Sequence, residues 1–79
     1  MATYEIRFVT EAARQRDSLP ASGRKELEKA LGEMKRNPFK KGKKGMDEVW
    51  YWDFGRTGQI MYLVSNRIVT VTVLRLTYV

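Results

Sequence analysis

Six cations fall within ten consecutive residues. Lys35, Arg36, Lys40, Lys41, Lys43 and Lys44 lie in the run KRNPFKKGKK, which contains no Asp or Glu. The chain has fifteen Lys and Arg against nine Asp and Glu, so the net charge of +6 resides in this run and the remainder is neutral. A neutral scaffold carrying one concentrated cationic segment points to a polyanionic partner. Four to six phosphate contacts give a salt slope of roughly −3 to −4 on single strands, with no sequence information in the contacts themselves. The bland alternative is a solvated loop. Just beyond the run come Trp50, Tyr51, Trp52 and Phe54. Alternation along a strand sends these rings to both faces, so one set packs in the core. The other lines an open face, where a ring stacks on a base for about 1–3 kcal/mol or docks an apolar side chain of a partner.

The end of the chain, LRLTYV, supplies Arg75 and Tyr78. Arg75 is a candidate phosphate clamp, and Tyr78 a candidate for proton transfer or substrate orientation. An isolated phenol is a poor base near neutral pH, but cations within a few ångströms stabilise the phenolate. That role therefore requires the terminal strand to lie against the lysine run; otherwise these residues are a fraying strand end. No other catalytic constellation is present. The chain lacks Cys and His, which removes disulfides, thiolate metal sites, the commonest metal ligand and the usual neutral-pH base. Asp47 and Glu48 are too few for a carboxylate metal site. Ser18, Ser22 and Ser65 have no histidine to activate them. No cofactor motif precedes a helix.

The elements that must hold these groups follow from periodicity. Thr3–Val9 alternates as a half-buried strand. Thr10 stands where a helix N-cap belongs, ahead of a short helix over Glu11–Leu19 that Pro20 ends. A second helix opens at Ser22 or Gly23, with Leu27, Ala30, Leu31 and Met34 in one core-facing stripe, and stops at Asn37-Pro38. After the basic loop, strands are predicted over Met46–Phe54, Gln59–Val64 and Arg67–Val79, separated by turns at Gly55–Gly58 and Ser65-Asn66. In the last strand Val69, Val71 and Val73 share one face, and Thr70, Thr72 and Leu74 the other. The predicted class is α+β, ordered β-α-α-β-β-β, as one domain over residues 1–79 with both helices on one face of a mainly antiparallel four-stranded sheet. The amino terminus does not read as a signal peptide and no window is long and apolar enough to span a membrane. The expectation is a soluble cytoplasmic protein.

In this order, YEIRFVTEAARQRDSLP, a helix ending LGEMKRNPF, the Lys/Gly loop, GMDEVWYWDF, GQIMYLV and a last strand ending near Arg and Tyr resemble the RelE/ParE toxin superfamily. The VWYWDF segment is most similar to its HigB-like branch. The resemblance covers almost the whole chain and rests on order and spacing rather than on one motif. It implies a curved sheet with a basic concave face, and an acidic antitoxin that folds over that face. RelE-like members are ribosome-dependent endoribonucleases that cut mRNA without a metal, by attack of the ribose 2′-hydroxyl on the adjacent phosphate. The resemblance assigns Lys40, Lys41, Lys43 and Lys44 to the family's basic loop, and Arg75 and Tyr78 to its terminal Arg and Tyr. The expected catalytic set is then Tyr78, Arg75, Arg56, Lys43 and Lys44, and the expected RNA contacts are Lys35, Arg36, Lys40, Lys41, Trp50, Trp52 and Gln59. One departure stands out: Gln59 occupies the position where the family's third strand commonly begins with Arg. Loss of one preorganised cation costs about 2.7–4 kcal/mol of barrier, which Arg56 in the preceding turn would have to restore. Two other functions stay open: a ParE-like inhibitor of DNA gyrase, and a non-catalytic basic module for nucleic acid or acidic peptides.

Overall fold

In the computed structural model, which describes residues 3–79, the chain runs β1 (Glu5–Phe8), α1 (Thr10–Asp17), α2 (Ala21–Arg36), β2 (Lys43–Lys44), β3 (Trp50–Phe54), β4 (Gly58–Ser65) and β5 (Thr70–Thr77). The sheet order is β1-β5-β4-β3-β2. β1 pairs parallel with β5, and every other neighbour is antiparallel. The α+β class and the helix-then-meander order are as predicted. The sheet has five strands rather than four, because Lys43 and Lys44 of the basic segment pair with Tyr51 and Trp50.

Both helices cover one face. Ala12, Leu27, Ala30 and Met34 bury themselves against Trp52, Phe54, Ile60, Tyr62, Val71, Val73 and Leu76. Leu31 of the predicted stripe is only half-buried, at the margin near β1. Thr10 is not an N-cap. It lies inside α1, while Val9 is extended, offers no capping side chain, and receives the first helical bond on its carbonyl from the Ala13 amide at 2.9 Å. Two predicted strands begin late for a common reason. Asp47 and Glu48 have φ of 54° and 64°, and Val69 has φ of 49°, left-handed conformations that no strand accommodates.

Alternation fails once. Met61 faces Arg75 and Tyr62 faces Val73, so Leu74 has no opposite residue. This β-bulge switches the sidedness of everything after it. The Val9 amide, which donates to the Val73 carbonyl at 3.1 Å, is the last backbone contact of this segment on the outer edge of β5, and farther along the Leu76 amide donates instead to Gln15 Oε1 of α1 at 2.7 Å.

The start of the basic segment is held from the core. The buried Tyr62 hydroxyl donates to the Pro38 carbonyl at 2.6 Å, and burial pushes its phenol up to about 12. The folded state thus favours the neutral phenol relative to an unfolded tyrosine near pKa 10. The resulting stability is intact below about pH 10 and is lost as pH rises toward 12. Tyr62→Phe leaves the Pro38 carbonyl without its partner, and should cost about 1–3 kcal/mol in urea denaturation at pH 7. It should also abolish the last phenolate step in an absorbance titration.

A candidate nucleic-acid face on the open side of the sheet

The face of the sheet away from the helices carries the polar strand residues. Register places Lys43, Tyr51, Met61 and Arg75 opposite one another on β2, β3, β4 and β5, in one row across the sheet. The next row holds Asp53, Gln59 and Thr77. Lys43 and Asp53 approach to 3.9 Å, as diagonal neighbours on one face do. The Tyr51 ring lies against Gly45 of the β2–β3 connection, where any Cβ would collide with it. Lys43 and Arg75 stand three strand spacings apart, about 14 Å at the backbone. Both are exposed, and Arg75 makes no ion pair among the described residues.

The rest of the cationic run is spread over different sides. Lys35 and Arg36 form the last turn of α2, where they offset its dipole. Lys41 binds Glu33 of α2 at 3.0 Å, and that ion pair, with Lys29 and Lys40 nearby, holds the Glu33 carboxyl below its ordinary range. Lys44 pairs with Trp50 at the sheet edge. Of the six clustered cations, Lys43 is the one whose strand register sets it in line with Arg75.

Four more predicted site residues lie off the row. Tyr78 packs on the helix side, its ring stacked on Phe54 at 5.8 Å and pressed on Gly23 of α2, where a Cβ would stand 2.8 Å from its Cζ. It does not join Arg75: residues three apart in an extended strand point to opposite faces. Arg56 sits in the β3–β4 turn and shares a hollow with Glu26, Thr57, Tyr78 and Val79, away from the row. Trp52 is 1% exposed in the core and has no surface on which a base can stack. Trp50 is half-buried and meets Phe39 edge-on at 5.0 Å. The aromatic residue on the open face is Tyr51, whose odd parity relative to the buried Trp52 and Phe54 is the sequence signal that finds it.

A small sheet backed by two helices on one face, with a mixed polar and basic face left open, is a compact α+β architecture, and solved structures narrow it. A chain of the toxin–antitoxin complex RelBE2 from Mycobacterium tuberculosis has a TM-score of 0.87 and 26% identity, covering 99% of this chain and 100% of its own. A chain of the intact E. coli RelBE toxin–antitoxin complex has a TM-score of 0.83 and 22% identity, with 96% of each chain covered. A YoeB/ParE toxin from Agrobacterium tumefaciens has a TM-score of 0.82 and 14% identity, over 95% of this chain and 98% of its own. No protein-family model matches the chain, and no curated protein matches it. The chain has the fold of the RelE/ParE toxin superfamily.

Two measurements check the division between faces. Tyr78→Ala removes a ring packed on Phe54 and should lower stability by about 1–3 kcal/mol, whereas Arg75→Ala should stay within about 0.5 kcal/mol, both read by urea denaturation. Lys41→Ala should return the Glu33 carboxyl toward its ordinary range in a carbon-detected NMR titration. Because that carboxyl is depressed in the folded state, its small contribution to stability is present above the usual carboxylate range and lost as pH falls through the depressed value.

Proposed function

We propose that this chain is the toxin of a toxin–antitoxin pair and acts on mRNA in the cytoplasm, at the ribosome, with the open face of its sheet. The observation that carries this reading is the cross-strand row of Lys43, Tyr51, Met61 and Arg75. Lys43 and Arg75 grip one phosphate from either end of the row, with Tyr51 between them. The 2′-oxygen attacks phosphorus, forming the P–O2′ bond and breaking the P–O5′ bond. The products are a 2′,3′-cyclic phosphate and a 5′-hydroxyl, so the proton leaving the 2′-hydroxyl is balanced by one delivered to the 5′-oxygen. Tyr51 is the hydroxyl placed in the row to take part in that transfer, and the two cations stabilise the charge on the pentacoordinate phosphorus. Tyr78, stacked on Phe54, has a structural role.

The solved RelBE2 and RelBE neighbours are toxin–antitoxin complexes, which supports a cognate antitoxin for this chain. An acidic segment that is disordered alone and folds on binding complements a face bearing Lys43 and Arg75. One observation favours a second reading. Gln59 brings no cation to the row beside Arg75 and stands opposite Asp53, and the fold also matches a YoeB/ParE toxin. Inhibition of DNA gyrase by binding alone fits a face with fewer charges.

Primer extension on message from a cell-free translation reaction separates the two readings. The wild type should cut mRNA. Tyr51→Phe should slow cleavage by about 10²–10⁴-fold, and Lys43→Ala and Arg75→Ala should each lower the salt slope of RNA binding by about 1. Intact message together with blocked gyrase supercoiling would replace the nuclease by the gyrase inhibitor.

A further inference from the structure

β3 begins at Trp50, opposite Tyr62, but β4 runs on to Ser65. On that side Leu63, Val64 and Ser65 have no strand partner, so the peptide groups there that point toward the missing strand are unpaired. A notch of about 440 Å³ opens in the gap. Phe39 and Trp50 wall it with rings inclined at 64° to one another, and Phe39 is 36% exposed, an aromatic surface with solvent on it. Lys44, Glu48, Leu63 and Asn66 complete the lining used here.

We propose that this notch is a nucleobase subsite for single-stranded RNA, holding the base next to the phosphate gripped by Lys43 and Arg75; the proposal rests on the RNA-directed reading above. Four observations carry it. Leu63 and Thr72 line the notch and pair with each other in the row beyond Met61 and Arg75, about two residues or 6–7 Å along the strand. An exposed ring at the mouth offers a stacking surface, which every base satisfies and a bare phosphate does not. Asn66 is fixed by the Tyr4 hydroxyl, which donates to its Oδ1 at 2.6 Å, so its amide hydrogens remain as donors for the carbonyl or ring nitrogen of a base. Glu48 repels a phosphate from the notch itself, while Lys44 beside it attracts the flanking backbone.

The chain has two tryptophans, and Trp52 is buried, so Trp50 reports the notch. The probe is an uncleavable 2′-O-methyl hexaribonucleotide, compared with the same strand carrying abasic residues and with inorganic tripolyphosphate. The intact strand should quench Trp50 emission saturably; the abasic strand and tripolyphosphate should not. Phe39→Ala should weaken the intact strand about 5- to 150-fold with an unchanged salt slope, and Phe39→Tyr should restore binding. Normal binding by anisotropy without quenching, or with no effect of Phe39→Ala, would overturn the subsite and leave the phosphate row standing. Quenching by tripolyphosphate would also overturn it. Absence of any RNA binding would instead remove the RNA-directed function, and the subsite with it.

Discussion

Leu74 has no partner across β4, and the placing of Arg75 depends on that one unpaired residue. Strict alternation from Val71 and Val73 would carry Arg75 into the core and send Leu76 outward. The bulge exchanges them: Leu76 closes the core, and Arg75 joins Met61, Tyr51 and Lys43 on the open face. A bulge leaves a ladder locally disrupted, and here the disruption falls where β5 has also lost its outer neighbour. The Gln15 carboxamide takes the Leu76 amide at that point, so α1 continues the support that β1 provides earlier along β5.

The same division of faces explains the basic segment. Ten residues with one sign of charge cannot present one patch once their ends are anchored to different elements. Lys35 and Arg36 are committed to the end of α2. The Pro38 carbonyl is tied to Tyr62, Lys41 to Glu33, and Lys43 and Lys44 to the edge of the sheet. Charge repulsion within the run is relieved by this dispersal, and a single lysine is delivered to the row. The polar row is therefore a line across four strands rather than a loop.

Two helices back the sheet on one side, which leaves its other face without helical cover. In this chain the face combines three cations, a phenol, an amide and two carboxylates, because Arg7 and Glu5 of β1 alternate with the core-facing Ile6 and Phe8 and join Lys43, Arg75 and Asp53. A ring dropped into the core, as Trp52 is, stabilises the scaffold but cannot contact a ligand. A ring on the opposite parity, as Tyr51 is, does the reverse.

The amino-acid sequence by itself determined the class, the helix–helix–meander order, the apolar stripe of α2 and the location of net charge, because these follow from local periodicity and composition. It also contained the opposite parity of Arg75 and Tyr78, since any extended strand separates residues three apart. Tertiary structure alone decided the fifth strand, the bulge at Leu74 and the direction in which each lysine points. Pairing register and ion pairs are set between segments distant in the chain, Gln15 with Leu76 and Tyr62 with Pro38 among them. No local pattern of apolar and polar residues encodes which of several possible partners a strand edge or a long basic side chain will meet.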